Sequence, residues 1–334
     1  MAEFFFQYGL FFAKAATFVA AIVVVAIVLA NLLHHARGNV ADHLEVRDLN
    51  HRFRDLADGL KHVLLPADEW KKHVKAQKAA DKARGKATEP GRPRVFVLDF
   101  HGDLQATPVA SLREDISALL LVARPGDEAV LRLESEGGVV HGYGLAASQL
   151  RRVRDAGVKL TVAVDKVAAS GGYLMACVAD RILAAPFAVL GSIGVVGQLP
   201  NFNRLLKKHD IDFELHTAGE HKRTLTLFGE NTDAGREKFR ETLEDAHALF
   251  KDFIRQNRPQ VDLDQVATGD HWFGTRALAL KLVDELKTSD DYLLERAKSC
   301  DLYELRYKRH RGVVERLAAG LARAWAGARA TLPF

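Results

Sequence analysis

Residues 160–180 read LTVAVDKVAASGGYLMACVAD. The run Leu160 to Val164 is short and apolar, as a buried strand is, while Tyr173 to Val178 is an apolar stretch of helical character. Ser170-Gly171-Gly172 stands where one gives way to the other. A serine at such a junction can place its hydroxyl beside the free N–H groups of a helix start, and those groups stabilise negative charge. The arrangement is able to hold a nucleophile next to an oxyanion site. The simpler reading is an N-cap before a glycine turn, and the stretch alone does not choose between them.

The same grammar repeats outward from this point. Val95 to Phe100 (VFVLDF) is a short apolar strand, followed by an amphipathic helix over Ser111 to Ala123. Ala129 to Leu133 is the next strand, then Gly137-Gly138, then a helix from Gly142 to Ala156, and Lys159 to Val164 is the third strand. Strands alternating with helices of about a dozen residues predict an α/β domain built on a largely parallel sheet. Shorter strands are expected near Arg181 to Ala184 and Phe213 to Thr217. A long helix is expected over 233–257, with Phe239, Leu243, Ala246, Phe250 and Ile254 on one face.

The amino-terminal end has a different chemistry. Ala15 to Leu33 is 19 residues without a charge, long enough to cross a bilayer core of about 30 Å as a helix. The run is too long for the apolar part of a cleaved signal peptide, and aromatic residues between Phe4 and Phe12 suit an interface, so an uncleaved anchor is expected. Lys14 precedes the span while Arg37, Arg47, Arg52 and Arg54 follow it, a slight lean towards a cytoplasmic body. Residues 39–65 read as a juxtamembrane helix, with Leu44, Leu49, Phe53, Leu56, Leu60 and Val63 near helical spacing. From Pro66 to Pro93 lysines crowd a stretch poor in large apolar residues, the signature of a solvated linker with transient helix. The organisation expected is a segment 1–35 with the anchor at about 15–33, a juxtamembrane helix and charged linker over 36–93, the folded domain over 94–305, and a basic amphipathic tail over 306–334.

Composition excludes more than it selects. With 334 residues, 48% hydrophobic and 27% charged, the chain is ordinary for a globular protein, and a net charge of +4 makes no case for nucleic acid. Two cysteines, Cys177 and Cys300, make no disulfide framework. The sequence carries no zinc-type His/Cys cluster and no phosphate-cradling glycine loop, so neither a metal nor another cofactor is expected.

Acyl transfer needs a nucleophile, a base and oxyanion donors. Ser170 is the candidate nucleophile and the Gly171 N–H one donor, and Gly137-Gly138, at a second strand–helix junction, is able to supply another. The base is not named by its surroundings. His101, His141, His216 and His221 lie within the domain without a context that pairs them with Ser170, and Lys222, after the turn Gly219-Glu220-His221, is suggestive only. A lysine can act as base where burial favours its neutral amine.

Taken together, Glu134 to Leu150 (ESEGGVVHGYGLAASQL), Val164 to Asp180, Ala185 to Asn203 (APFAVLGSIGVVGQLPNFN), His216 to Asn231 (HTAGEHKRTLTLFGEN) and Val266 to Glu285 resemble the S49 peptidases, the signal peptide peptidase A group and in particular its SohB branch. The likeness spans nearly the whole chain, anchor included. It implies a ClpP/crotonase-like fold of ββα units, Ser170 as nucleophile, Lys222 as general base, Ser192 orienting Lys222, and Gly138 and Gly171 as oxyanion donors. It further implies an extended peptide substrate, such as a signal-peptide remnant or membrane-proximal polypeptide, and a homo-oligomer. The setting implied is the bacterial inner membrane with the catalytic domain on the periplasmic side, against the lean of the flanking charges. Two positions depart from the family: Glu136 replaces the proline often found before the Gly-Gly pair, and Lys281 replaces the usual glycine before Leu-Val-Asp. Two other readings stay open: a crotonase-like acyl-CoA enzyme using Glu136, and a membrane scaffold that binds partners without catalysis.

Overall fold

The computed structural model describes residues 2–36, 42–84 and 92–309. The expected amphipathic tail beyond 309 and the Glu89-Pro90-Gly91 end of the linker lie outside them. The chain divides into two compact units, one of residues 1–44 with 307–334 and one of Glu45–Arg306.

In the first unit α1 (Ala2–Ala36) is one long helix. Its 24-residue window Phe6–Leu29 has a mean hydropathy of 2.5, enough length and apolarity to cross a bilayer. The apolar window begins at Phe6 and not at Ala15, because the aromatic segment belongs to the same helix.

Residues 39–41 lie outside the described residues; in the rest of the single helix expected over 39–65 the chain instead forms β1 (His43–Asp48) followed by α2 (Leu49–Leu64). His43–Asp48 is extended because it lies along the edge of the strand Asp301–Lys308. Asp48 then caps α2, its carboxylate accepting from the His51 amide at 2.9 Å. Beyond Pro66 the lysine-rich stretch is also helical, as α3 (Ala67–Arg84). His73 on α3 hydrogen-bonds Asp58 on α2 at 2.8 Å, and the Trp70 ring meets His62 edge-on, so the two helices form a hairpin.

The α/β body follows in the expected order: β2 (Arg94–His101), α4 (Val109–Val122), β3 (Glu128–Glu134), α5 (Val140–Asp155) and β4 (Lys159–Val164). Next come β5 (Val167–Ala169), α6 (Gly171–Ala176), β6 (Arg181–Ala184), β7 (Val189–Gly191) and α7 (Asn203–Lys208). The chain then forms α8 (Asp233–Asn257), α9 (Leu263–Val266), β8 (His271–Phe273) and α10 (Gly274–Ala279). It closes with β9 (Glu285–Leu286), α11 (Ser289–Arg296) and β10 (Asp301–Lys308). Among the described residues seven strands form one sheet in the order β1-β10-β2-β3-β4-β6-β9, parallel from β10 to β9. A second sheet of three, β5-β7-β8, stands beside it.

A parallel sheet must bury both faces, and this one does. On one face Val95, Val97, Val130, Ala163 and Leu183 pack with Tyr292, Leu293 and Leu302, and Leu49 with Phe53 of α2 completes the cluster. The core therefore recruits residues well before Arg94. On the other face Phe100 meets the ring of Tyr143 on α5 at 6.3 Å. The buried carboxylate of Glu128, 1% exposed, accepts from Thr161 at 2.6 Å and Tyr292 at 2.5 Å and faces Arg296 at 2.7 Å. Burial, reinforced by the Glu128 bond, pushes the Tyr292 hydroxyl up to about 12. Cys177 is a fully buried core residue whose thiol burial pushes up, so it is not a reactive centre.

Two details bear on the site. Phe213 to Thr217 is not a strand: among the described residues it finds no strand to pair with, and Phe213 packs on the Phe228 ring at 5.8 Å instead. Lys281, where the family usually has glycine, follows α10 with φ +62°, its amide donating to the Leu278 carbonyl at 3.0 Å. The departure is thus confined to a helix end.

Candidate active site

In parallel α/β sheets, ligands bind outside the carboxyl ends of the strands. At that edge β2 ends on His101, β3 on Glu134 and β4 on Val164. After β3 the chain turns through Ser135-Glu136-Gly137-Gly138 into α5; after β4 it passes along β5 to Ser170 and α6. Ser135 ties the two junctions together. Its amide donates to Val167 O at 2.9 Å, and its carbonyl accepts from the Ala169 amide at 3.0 Å.

The two glycine turns meet as a result. Gly137 adopts φ +94°, and a Cβ placed there would lie 2.7 Å from the Gly171 amide nitrogen and 2.8 Å from Ser170 Cβ. Only a residue without a side chain lets the turns approach this closely. Among the described residues, neither the Gly138 nor the Gly171 amide donates to a protein acceptor.

Ser170 is not an ordinary cap. It precedes α6, and its carbonyl accepts the Leu174 amide at 3.0 Å, but its side chain makes no capping hydrogen bond. Its backbone sits at φ +51°, ψ −118°, a conformation that glycine normally takes at the first central position of a type II′ turn. Holding a serine there costs about 1–3 kcal/mol, a strain that the surrounding structure must over-determine. The Ser170 amide bonds to Gly191 O at 2.8 Å, which locks the turn to β7. The simpler N-cap reading of Ser170 does not hold, because among the described residues the hydroxyl accepts no capping hydrogen bond.

Ser192 is brought to the same place by strand register. β5 and β7 are parallel with Ala169 opposite Gly191, so Ser170 and Ser192 leave adjacent strands side by side. Ser192 also has positive φ, +49°, and its amide is pinned to Asp270 O at 2.6 Å. Lys222 is different. It lies exposed in a turn closed by its amide bonding to Gly219 O at 3.2 Å, and its amine hydrogen-bonds to no described residue, Ser170 and Ser192 included. Of the four histidines weighed from the sequence, none hydrogen-bonds Ser170 among the described residues: His101, His216 and His221 face Glu134, Glu214 and Glu220, and His141 is exposed on α5.

Beside Ser170 a cleft of about 450 Å³ opens between the junctions and α8. Gly138, Ser170 and Gly171 form one side; Ala246, Leu249, Phe250 and Phe253 of α8 form the other. The expected apolar face of α8 therefore divides its labour. Ile254 is buried, Phe239 and Leu243 pack over Gly197, and Ala246 with Phe250 lines the cleft. The end of α8 is held by Arg258, 3% exposed, whose guanidinium grips Asp284 at 2.8 and 2.9 Å. Among the described residues, no group of three or more His, Cys, Asp or Glu converges as a metal site would require.

Sequence reasoning missed Ser135 and Tyr143. Ser135 Oγ is 3.1 Å from the Gly137 amide and 2.6 Å from the Tyr143 hydroxyl, which in turn reaches Asp103 O at 2.8 Å. A small polar residue at a strand end just before a glycine pair was the available signal.

Comparisons with known proteins identify the family. Residues 3–150 match the family model described as peptidase family S49 N-terminal, and residues 152–302 match peptidase family S49. A protein from Haemophilus influenzae named probable protease SohB is 48% identical over 320 residues, covering 92% of this chain and 90% of its own. Another probable protease SohB, from Buchnera aphidicola subsp. Acyrthosiphon pisum, is 58% identical over 230 residues, 69% of this chain and 68% of its own. Among solved structures, a mutant of the 1510-N membrane-bound stomatin-specific protease overlaps with a TM-score of 0.42 at 11% identity, over 62% of this chain and 86% of that one. The chain belongs to peptidase family S49.

Proposed function

We propose that this chain is a membrane-anchored serine endopeptidase that cleaves peptide bonds through a Ser170–Lys222 dyad and an acyl-enzyme. The observation that carries the proposal is Ser170 itself, held in a strained turn with its hydroxyl uncapped, beside two undonated glycine amides at an apolar cleft. In this reading the neutral Lys222 amine takes the Ser170 proton while Oγ attacks the scissile carbonyl, and Ser192 orients the amine. The Gly138 and Gly171 N–H groups receive the oxyanion. Lys222 then returns the proton to the leaving amine, and a water molecule, activated in the same way, releases the acyl group. An extended substrate adds alongside the Gly138 segment and seats an apolar side chain in the cleft.

A lysine base has to be desolvated, and Lys222 is exposed in the single chain. The segment that carries it also exposes Phe213, Leu215, Leu227 and Phe228, an apolar surface that supports assembly of several copies around the site. α1 supports membrane anchoring; in this reading the membrane is the bacterial inner membrane and the substrates are signal-peptide remnants or membrane-proximal polypeptides. The catalytic domain is assigned to the periplasmic side. Added protease should therefore digest it in intact spheroplasts, and protection there would place it in the cytoplasm. Ser170→Ala and Lys222→Ala should each abolish peptide cleavage with an unchanged melting midpoint. Normal turnover by either variant rules out the dyad.

A further inference from the structure

We infer that Ser135 and Tyr143 are positioning residues, which hold the Gly138 and Gly171 donors in register through one directed chain of hydrogen bonds. The inference rests on the oxyanion role proposed for those two amides.

The direction of the chain follows from elementary chemistry. An amide only donates and a carbonyl only accepts. The Gly137 N–H therefore donates to Ser135 Oγ at 3.1 Å, and Tyr143 gives its single proton to Asp103 O at 2.8 Å. One arrangement remains for the 2.6 Å contact between the hydroxyls: Ser135 donates to Tyr143. The protons run Gly137 to Ser135 to Tyr143 to Asp103 without conflict, and each bond polarises the next.

The chain reaches both donors. At one end it pins the Gly137 amide, the residue before Gly138. At the other, the Tyr143 ring lies under Gly171: a Cβ on Gly171 would stand 2.5 Å from ring Cγ. Both residues are shut off from solvent, Ser135 at 2% and Tyr143 at 0% exposure, and the Phe100 ring packs edge-on against Tyr143 at 6.3 Å. Burial keeps the Tyr143 hydroxyl above its ordinary value, only partly offset by the Ser135 bond.

Losing either hydroxyl frees the Gly137 turn to shift without removing a donor. A misplacement near 1 Å is worth roughly 10²-fold, so each variant should react between about 10- and 100-fold more slowly than the wild type. The test uses the full chain in detergent and a biotinylated fluorophosphonate, measuring the maximal inactivation rate and the half-saturating probe concentration separately. Ser135→Ala and Tyr143→Phe should lower the maximal rate by that factor and leave half-saturation unchanged. The double variant should be no slower than the slower single, because both residues act through one chain. A role in packing alone would lower the melting midpoint and leave the rate on folded protein untouched, which overturns the inference. A change confined to half-saturation does the same. If Tyr143→Phe does not fold, Ser135→Ala carries the same expectations alone. Failure of the wild type to react at Ser170 would remove the underlying reading; a reactive wild type with equally reactive variants removes only the positioning role.

Discussion

Gly137→Ala adds one methyl group at the point where the two glycine turns meet. The new Cβ would lie 2.7 Å from the Gly171 nitrogen, 2.8 Å from Ala169 O and 2.8 Å from Ser170 Cβ. Two of these neighbours are backbone atoms that cannot rotate away, so the turns must part by roughly 0.5–1 Å to restore ordinary contact, enough to cost about 10²-fold in rate. Alanine at φ +94° also carries strain, about 1–3 kcal/mol, and overpacking adds a similar amount. The sum, about 2–6 kcal/mol, is a large part of a typical folding free energy of about 5–15 kcal/mol, so turnover is expressed per folded molecule, taken from the urea curve. Gly126→Ala is the control: its φ is +91° and a Cβ there meets nothing within 4 Å, so it shares the strain without the clash. Hydrolysis of fluorescein-labelled casein and urea unfolding should be measured on both. Gly137→Ala should lose about 99% of its turnover, the same 10²-fold, and Gly126→Ala none, although both lose stability. Full turnover by Gly137→Ala, with stability loss alone, would mean that the turns do not form the working site.

Arg258→Ala strips Asp284 of a bidentate partner that is 3% exposed; Asp284 is itself 32% exposed and keeps the Ile182 amide, so the loss should be about 1.5–3 kcal/mol in urea unfolding. Because that pair holds the end of α8, the activity of the folded fraction on apolar substrates should also fall. Asp99 gives the acid limb of stability. Burial alone would raise its carboxyl, but Arg132 at 2.6 and 2.8 Å and then Arg306 at 2.9 Å outweigh that and hold it low. The folded state thus binds fewer protons than the unfolded one. The stabilisation is complete above the unfolded value, about pH 4, and is lost as pH falls through the depressed folded value. Asp99→Asn should flatten that acid loss and cost about 1.5–3 kcal/mol at pH 7. Lys222→Arg puts an always-charged guanidinium at the same exposed position and cannot supply a neutral base; it should melt like the wild type and cleave no peptide.

Much of the body was legible because local signals agreed with tertiary structure. Lys159–Val164, Arg181–Ala184 and Asp233–Asn257 fall where apolar pattern and helix punctuation put them. Ser170 and Gly171 were legible as a junction, but not the strain that separates a nucleophile from a cap, because φ and ψ are set by the Gly191 bond and the approach of Gly137. Three-residue strands such as Val167–Ala169 and Val189–Gly191 are too short to show a period, so the register that sets Ser192 beside Ser170 was hidden. His43–Asp48 misled for a related reason. Its residues fit a helix locally and become a strand only because Asp301–Lys308, far along the chain, offers an edge. Ser135 and Tyr143 are eight apart in sequence, a spacing that marks no motif; a fold in which both junctions converge is what makes them partners.

The nucleophile is the claim on which the rest depends. Reacting the full chain with a fluorophosphonate, digesting it and locating the adduct by tandem mass spectrometry tests that claim most directly. One adduct on Ser170, absent from Ser170→Ala and formed far more slowly in Lys222→Ala, is the predicted result. An adduct on Ser135 or Ser192, or equal labelling of Ser170 with and without Lys222, would contradict the account.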